Sequence, residues 1–340
     1  MKIDLVYLWV NGSDELWLAK KNAALSKVGK RLARSAASDN RWRDNDELKY
    51  SLRSVEKFAP WINHIFIVTD DQIPMWLNSK NSRITIVDHK QIIPNDKLPL
   101  FNANAIEMFL WKIPELSEYF LYANDDMFFG KPVEPSFFFD GTGNPIVIMK
   151  ERRRSFKNLG DKSQVSSRLY MVKSARTIKY AYKKLNKKFN LAFKHAIEPI
   201  RKSYMEENFK DMEEEILTAT VTPFRDVNNI QRIIMPLFDN AKGRNTIVLN
   251  WRTGGKRIVY DNKKDNSSSR LYHGLLWIFA TIIGSIKYDC YDKQWRIAFF
   301  LRKYQPTLFA INDFSLNEST FESAIGFIDK MFSNKSEFEK

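Results

Sequence analysis

The 340-residue chain contains a single cysteine, Cys290, which rules out an intrachain disulfide and any metal cluster held by thiolates. That usage fits a reducing compartment. Glycine is scarce, at 12 residues, and none of them builds a Gly-x-Gly-x-x-Gly or a Gly-x-x-x-x-Gly-Lys-Ser/Thr loop. His-Glu-x-x-His and Gly-x-Ser-x-Gly are missing as well. These gaps argue against P-loop kinases, common dehydrogenases, zinc proteases and α/β-hydrolases. Long apolar runs are absent too. The best one, Leu271 to Ile286, is broken by His273 and two glycines and falls short of the ~20 residues that span a bilayer. It reads as a buried helix. Asp4 sits inside the first apolar run, which ends by Val10, a pattern unlike a signal peptide.

What is present allows an ample core, in one large domain or two, since 44% of residues are hydrophobic. Aromatic residues reach 14%; their faces suit carbohydrate sites, and they equally suit core packing. The net charge of +14 is lopsided. Between Lys150 and Lys188, fourteen Lys or Arg face only Glu151 and Asp161, so the rest of the chain is close to neutral. Such a segment meets nucleic acid, an anionic membrane or a phosphate-rich substrate, or is simply a solvated helical face.

Along the first half, apolar β-rich runs alternate with helical patterns. Strands are expected at Ile3 to Val10, His64 to Thr69, Ile84 to Val87, Tyr119 to Ala123 and Ile146 to Met149. Between them, Ser13 or Asp14 starts one helix and Asp44 or Asn45 starts another through about Phe58. Trp76-Leu77 belongs to a short helix, and a further helix covers about Asn104 to Trp111. The polar, basic stretch from Ser26 to Asn40 reads as a loop or frayed helix. This alternation predicts an α/β fold with a mostly parallel sheet flanked by helices. The second half is more helical, with patterns at Arg176 to Phe193 and Tyr204 to Leu217. Two short strands follow, around Thr246 to Asn250 and Lys256 to Tyr260, and then a helical stretch through Ile286. The expected division is 1–150 and 151–340, packed into one catalytic unit.

Ligands of parallel sheets bind at the carboxyl ends of the strands. Polar clusters lie at those ends: Asn11-Gly12-Ser13-Asp14, Asp70-Asp71 and Asn124-Asp125-Asp126. Paired carboxylates such as Asp125 and Asp126 suit Mg²⁺ or Mn²⁺ bridging to diphosphate oxygens, although a bare Asp-Asp pair is also an ordinary surface turn. Asp14, Asp44, Asp46 and Glu47 each have a plain alternative role in capping helices or complementing their dipoles. Asn102, Asn104 and Glu107 are suited to sugar hydroxyls or to capping the helix they enter. Of the four histidines, His64, His89 and His273 read as structural. His195 is the candidate acid, base or nucleophile, because imidazole titrates near neutrality. The planar fork of Arg225 can clamp a phosphate, as can Arg252 and Lys256.

These ordered motifs resemble the Stealth family. Ile3-Asp4-Leu5-Val6-Tyr7-Leu8-Trp9-Val10-Asn11-Gly12-Ser13-Asp14 looks like its first signature. The second begins at Arg41-Trp42-Arg43-Asp44-Asn45-Asp46-Glu47. It runs through Ala59-Pro60-Trp61, Leu98-Pro99-Leu100-Phe101-Asn102 and Ala105-Ile106-Glu107 to Phe120-Leu121-Tyr122-Ala123-Asn124-Asp125-Asp126. The later signatures keep Lys194-His195 and Phe224-Arg225, whereas Ala310-Ile311-Asn312-Asp313-Phe314 lacks the Cys and second Asp of the fourth. The family comprises capsule and wall-polysaccharide hexose-1-phosphate transferases, together with the catalytic subunit of an animal GlcNAc-1-phosphotransferase. The short build of this chain most resembles the streptococcal branch.

The resemblance implies a Rossmann-like, nucleotide-sugar-transferase-type sheet. It also implies transfer of a sugar-1-phosphate from a UDP-sugar to a glycan hydroxyl with release of UMP. By the same token His195, Arg225, Asp126 and Glu107 are the expected catalytic residues. Asn11, Gly12, Asp14, Asn102 and Asn104 are expected to bind the donor, and Asp125, Asp126 and Asp313 to hold a divalent cation. The other enzyme of this architecture is a metal-dependent glycosyltransferase, which releases UDP. The expected acceptor is a lipid-linked or polymeric glycan. A cytoplasmic location is expected, with the basic segment around Arg152-Arg153-Arg154 docking to an anionic membrane. Nucleic acid is not an expected partner, because it leaves the strand-end acids without a use.

Overall fold

The computed structural model describes residues 1–28, 42–151, 169–189, 191–193, 195–249, 258–259, 286–289, 306–312, 326 and 328–340. The chain opens with strand β1 (Ile3–Leu8), helix α1 (Glu15–Val28) and helix α2 (Glu47–Phe58). Strands β2 (Ile65–Thr69) and β3 (Ile84–Asp88) follow, then the short helices α3 (His89–Ile92) and α4 (Ala103–Ile106). Next come β4 (Tyr119–Asn124), β5 (Met127–Phe129), β6 (Ile146–Glu151) and the long helix α5 (Leu169–Leu185). Beyond it lie β7 (Leu191–Phe193), β8 (Glu198–Arg201), α6 (Lys202–Lys210), α7 (Glu213–Glu215) and α8 (Ile234–Ala241). The described part ends with β9 (Thr246–Leu249), β10 (Ile258–Val259), β11 (Ile286–Asp289) and β12 (Leu308–Asn312).

The main sheet has the order β3-β2-β1-β4-β8. Its first four strands are parallel, with Leu8 opposite both Val68 and Asn124, and β8 joins β4 antiparallel. This is the α/β architecture that the alternating pattern predicts. Side chains of a strand alternate between faces, and the core divides accordingly. Leu5, Tyr7, Ile65, Ile67, Leu121 and Ala123 pack on one face with Leu48, Leu52 and Val55 of α2. Val6, Phe66, Val68, Phe120 and Tyr122 pack on the other with residues of α5, α6 and α8. Burial on both faces explains why these strands read as continuous apolar runs.

Asp4, the acid within the first run, is buried without being orphaned. Its two oxygens accept from Asn63 Nδ2 at 2.7 Å and from Ser117 N at 2.8 Å. Ser51 fixes α2 to the sheet, lying 2.7 Å from the Tyr7 hydroxyl and donating to the Met127 carbonyl.

Several local expectations are corrected. Trp76-Leu77 is a turn, and Leu77 bridges to Glu339 instead of entering a helix. The helix expected over Asn104 to Trp111 is one α-turn, α4, followed by a 3-10 helix from Glu107 to Lys112. α5 ends at Leu185, after which β7 occupies the residues up to Phe193. The Tyr204 to Leu217 pattern splits into α6, α7 and a π-turn at Ile216–Thr220. At the end of the expected long helix, Ile286 begins a strand, β11; the preceding residues Leu271 to Ser285 lie outside the described residues. Also outside are Asp313, Arg152 to Arg154, Arg252, Lys256, His273 and most of the Ser26 to Asn40 stretch. Among the described residues no helix is long and apolar enough to cross a membrane.

Candidate active site

Parallel alignment brings the carboxyl ends of β1 to β4 to one edge, and a cleft opens there. Trp9 and Val10 line it after β1, Asp70 after β2, His89 after β3, and Asn124 and Asp125 at the end of β4. Trp17, Trp42, Phe101 and Arg225 close its sides.

β4 passes into β5 through a tight turn at Asp125 and Asp126, in which Asp126 N donates to Asp125 Oδ1 at 3.1 Å. The buried flanks Ala123 and Met127 to Phe129 leave the two acids no freedom to turn away. Asp126 holds a histidine. His195 Nε2 lies 3.0 Å from Asp126 Oδ2 and 3.1 Å from Oδ1, across 69 residues of sequence. β8 places that histidine, because its antiparallel pairing with β4 (Tyr122 opposite Glu198) brings the residues just before it alongside the strand end.

Asp125 belongs to a crowd of acids. Burial, and then the charges of Glu47, Asp126 and Asp44, push its pKa well above the ordinary carboxylate value. Glu47 is pushed up to about 7, chiefly by burial, against the Asn45 backbone and side-chain donors that favour its charged form. Asp44 is pushed up to about 6, again chiefly by burial. The start of α2 departs from the expected cap: Asp46 is the N-cap, in the left-handed region at φ 63°, and makes no side-chain capping bond. Asp44 instead accepts from Asp46 N at 3.1 Å.

Glu107 is held differently. Its Oε2 lies 3.4 Å from Arg232 Nε, and its Oε1 lies 3.1 Å from the Tyr122 hydroxyl, which also reaches Asn124 Oδ1 at 2.7 Å. Arg232 stacks 4.3 Å over the Tyr122 ring and pairs with Glu198 of β8. Nearby, burial lowers the pKa of Arg225 while the charge of Glu107 opposes that shift.

The expected donor-binding residues build the loops around the cleft and do not line it. Asn11 exchanges two hydrogen bonds with the Gln72 amide, at 3.1 and 2.9 Å, and its Oδ1 accepts from Ser13 N. Gly12 N donates to the Trp42 carbonyl at 2.6 Å, and a Cβ at position 12 would sit 2.4 Å from that oxygen. Asp14 caps α1 by accepting from Trp17 N at 2.8 Å. Asn102 is fully buried. Its amide donates to Thr220 O and Asn229 Oδ1 at 3.1 and 3.0 Å, and its Oδ1 accepts from Asn104 N. Asn104 accepts from Lys173 Nζ at 2.6 Å. The cleft wall comes from their neighbours Trp9, Val10, Phe101 and Ala103.

Asp125 and Arg225 do line the cleft, with Asp126 next to Asp125 in the turn. Among the described residues no three acids, histidines or cysteines stand close enough to hold a metal ion by themselves. The third expected ligand, Asp313, lies outside the described residues. Sequence reasoning set aside His89 as structural and named Asp70 only within a strand-end cluster, and both line the cleft. Their positions after β2 and β3, matching that of Asn124 after β4, are the signal that finds them.

Residues 1–29 match the model described as Stealth protein CR1, conserved region 1, and residues 41–147 match Stealth protein CR2, conserved region 2. Capsular polysaccharide phosphotransferase fcs1 of Haemophilus influenzae is 37% identical over 78% of this chain and 75% of its own length. Capsular polysaccharide phosphotransferase cps1A of Actinobacillus pleuropneumoniae is 32% identical over 85% of this chain and 82% of its own. Receptor polysaccharide phosphotransferase WefC of Streptococcus oralis is 47% identical over 42% of this chain and 43% of its own.

Proposed function

The chain belongs to the Stealth family, a transferase family whose relatives here are polysaccharide phosphotransferases, and from that premise we propose that it moves a sugar-1-phosphate from a UDP-sugar onto a glycan hydroxyl, releasing UMP. The observation that carries this reading is the His195–Asp126 pair, set beside the cleft that Asp125 and Arg225 line. A hydroxyl acceptor needs a base, and a phosphoryl group in transit needs fixed positive charge.

In this reading the donor diphosphate lies over the carboxyl ends of β1 and β4. Asp126 accepts the Nε2 proton of His195, which fixes the ring and leaves the basic lone pair on Nδ1. His195 takes the proton of the acceptor hydroxyl as the hydroxyl oxygen bonds to the phosphorus next to the sugar. The bond from that phosphorus to the bridging oxygen breaks, and UMP leaves with the bridging oxygen. Attack of the imidazole itself on phosphorus is the second role open to the same lone pair. Arg225, half-buried in the cleft wall, faces the equatorial phosphoryl oxygens with its planar fork. Glu107, fixed by Arg232 and Tyr122, sets the charge around Arg225.

The carboxylates fit a divalent cation, Mg²⁺ or Mn²⁺. Crowding and burial drive Asp125 and its neighbours toward protonation, and a cation shared with diphosphate oxygens relieves that crowding through one or two carboxylates. Asp125 and Asp126 are its proposed ligands, and when bound it would neutralise charge on the diphosphate. The acceptor is proposed to be a lipid-linked or polymeric glycan.

The test is incubation of the purified protein with a panel of UDP-sugars, Mg²⁺ and acceptor glycan, resolving the nucleotide product. UMP is expected, with phosphate retained in the glycan product; UDP as the product would overturn the reading.

A further inference from the structure

β8 carries a buried acid that the transfer chemistry leaves without a task. Glu198 is 6% exposed and lies opposite Tyr122 in the β4–β8 pairing, three residues after His195. Its Oε2 accepts from Nη1 of Arg232, which is 7% exposed. The same guanidinium lies 4.3 Å from the centre of the Tyr122 ring, and its Nε stands 3.4 Å from Glu107 Oε2. Arg232 therefore joins three points: β8, β4 and the 3-10 helix that begins at Glu107.

Stability does not account for this arrangement. Desolvation of two buried charges offsets most of their attraction, and apolar side chains of similar volume hold a core about as well. Burial pushes the pKa of Glu198 up, against the charge of Arg232. At Arg232 burial works to lower the pKa, and the charges of Glu198 and Glu107 overcome it. Each charge is thus kept by the others, and what such a pair supplies is position.

β8 sets its own register weakly. The strand is four residues long and stands last in the sheet order, and its Pro199 has no N–H to give the ladder. Ile200 packs on the face of Tyr122, whereas Ile197 packs on the α2 face. A slip of one residue would exchange those faces and carry His195 about 3.4 Å along the strand, off Asp126. The far end of β8 is tied to Glu118, whose Oε1 accepts from Arg201 Nε at 2.9 Å and from Ser203 Oγ at 2.6 Å. Toward His195, the tie is Glu198 to Arg232.

We propose that Arg232 is a positioning residue for the transfer: by holding Glu198 against Tyr122 it fixes the register of β8 and keeps the His195 imidazole on Asp126. The proposal rests on the reading of His195 as the group that serves the acceptor hydroxyl. Glu107 is the opposite jaw of the same clamp, since it holds the guanidinium from the side away from β8. The contact so guarded is narrow. His195 Nε2 lies 3.0 Å from Asp126 Oδ2, and a misplacement of about 1 Å at a reacting group costs about 10²-fold in rate.

The test reads the histidine itself. The full chain has four histidines, so isotope labelling of histidine nitrogen, with His195→Ala to assign the signal, resolves the His195 ring by magnetic resonance. In mildly alkaline buffer the wild type is expected to show one tautomer, with the proton on the Nε2 that faces Asp126. In Arg232→Met the two tautomers should mix and kcat should fall by about 10²-fold, while UMP affinity by calorimetry stays within about threefold. Glu198→Gln leaves Arg232 its pairing with Glu107 and an amide oxygen to donate to. It should give the same change at smaller size, about tenfold in kcat, and it decides the question if Arg232→Met does not fold. Mixed tautomers in the wild type, a wild-type tautomer and kcat in either folded variant, or a fall in UMP affinity that matches the fall in kcat would overturn the proposal. UDP as the transfer product would sink the proposed reaction, and the tautomer of His195 would still decide the role of Arg232.

Discussion

The two parts of the chain contribute opposite charges to one site. Asp44, Glu47, Glu107, Asp125 and Asp126 all come from the first 147 residues, whereas His195, Arg225 and Arg232 come from the segment between β7 and α8. The acid side is internally unfavourable, since burial and mutual repulsion raise three of its pKa values. The basic side is buried against it, with Arg232 set between Glu198 and Glu107. In the proposed reaction neither side makes the site by itself. The difference teaches that the acids lie on the sheet as a floor and that the cations and the histidine of the proposed mechanism dock on it from the second part.

The sharpest way to test that division is His195→Ala. It should lower kcat by about 10³-fold, within the range for losing a general base, and leave UMP binding within about twofold. Loss of nucleotide binding together with turnover would break the comparison, because the basic side would then also hold the donor. Arg225→Lys should cost about 10²-fold in kcat, since a point charge does not reproduce a planar fork. Wild-type kcat in that variant would remove Arg225 from the phosphoryl site.

Asn102→Ala tests the tie between the two parts. It strips a buried amide from Thr220 O and Asn229 Oδ1, and should destabilise the protein by about 2 kcal/mol in chemical denaturation. A loss below about 0.5 kcal/mol would mean that the Arg225 loop is held by other contacts.

The smallest expected effect is a pH slope. The folded-state pKa of Glu47, about 7, lies above its ordinary 4.5, so the folded protein binds more protons than the unfolded chain between those values. Stability from this group therefore falls as pH rises through that window. Without added divalent cation, the melting temperature of the wild type should drop relative to Glu47→Gln by about 1–2 °C from pH 4.5 to 7.5. Mg²⁺ at pH 7.5 should shrink the gap. Parallel profiles for the two proteins would mean that burial does not raise the pKa of Glu47.

Much of the main sheet was legible, because β1, β2 and β4 are buried on both faces and so read as unbroken apolar runs closed by polar turns. β5 and β8 were not. Met127 to Phe129 is too short to show a period, and the Pro199 in β8 argues against a strand unless it sits at an edge, which it does. The α4 region misled for a similar reason. About Asn104 to Trp111 carries a helical pattern, but one α-helical turn and a 3-10 helix satisfy it. Among site residues, Asp126 and His195 were legible only as chemical types, and their 3.0 Å meeting depends on a strand pairing that no local pattern announces. Asn102 and Asp14 carried the right chemistry for a donor site and are engaged in caps and ties. His89 was read as structural because a lone buried histidine is more often core than contact.

β8 also orders events in the life of the chain. Its antiparallel addition to β4 joins Tyr119 with Arg201, so the His195–Asp126 pair is made only where β8 lies beside β4. Synthesis runs from the amino end, and every residue of β1 to β4 precedes β8. During synthesis the acids therefore emerge and crowd together before their histidine and arginines exist. In the proposed reaction a chain without β8 in place holds its acids but lacks their histidine, and activity waits on the completed sheet.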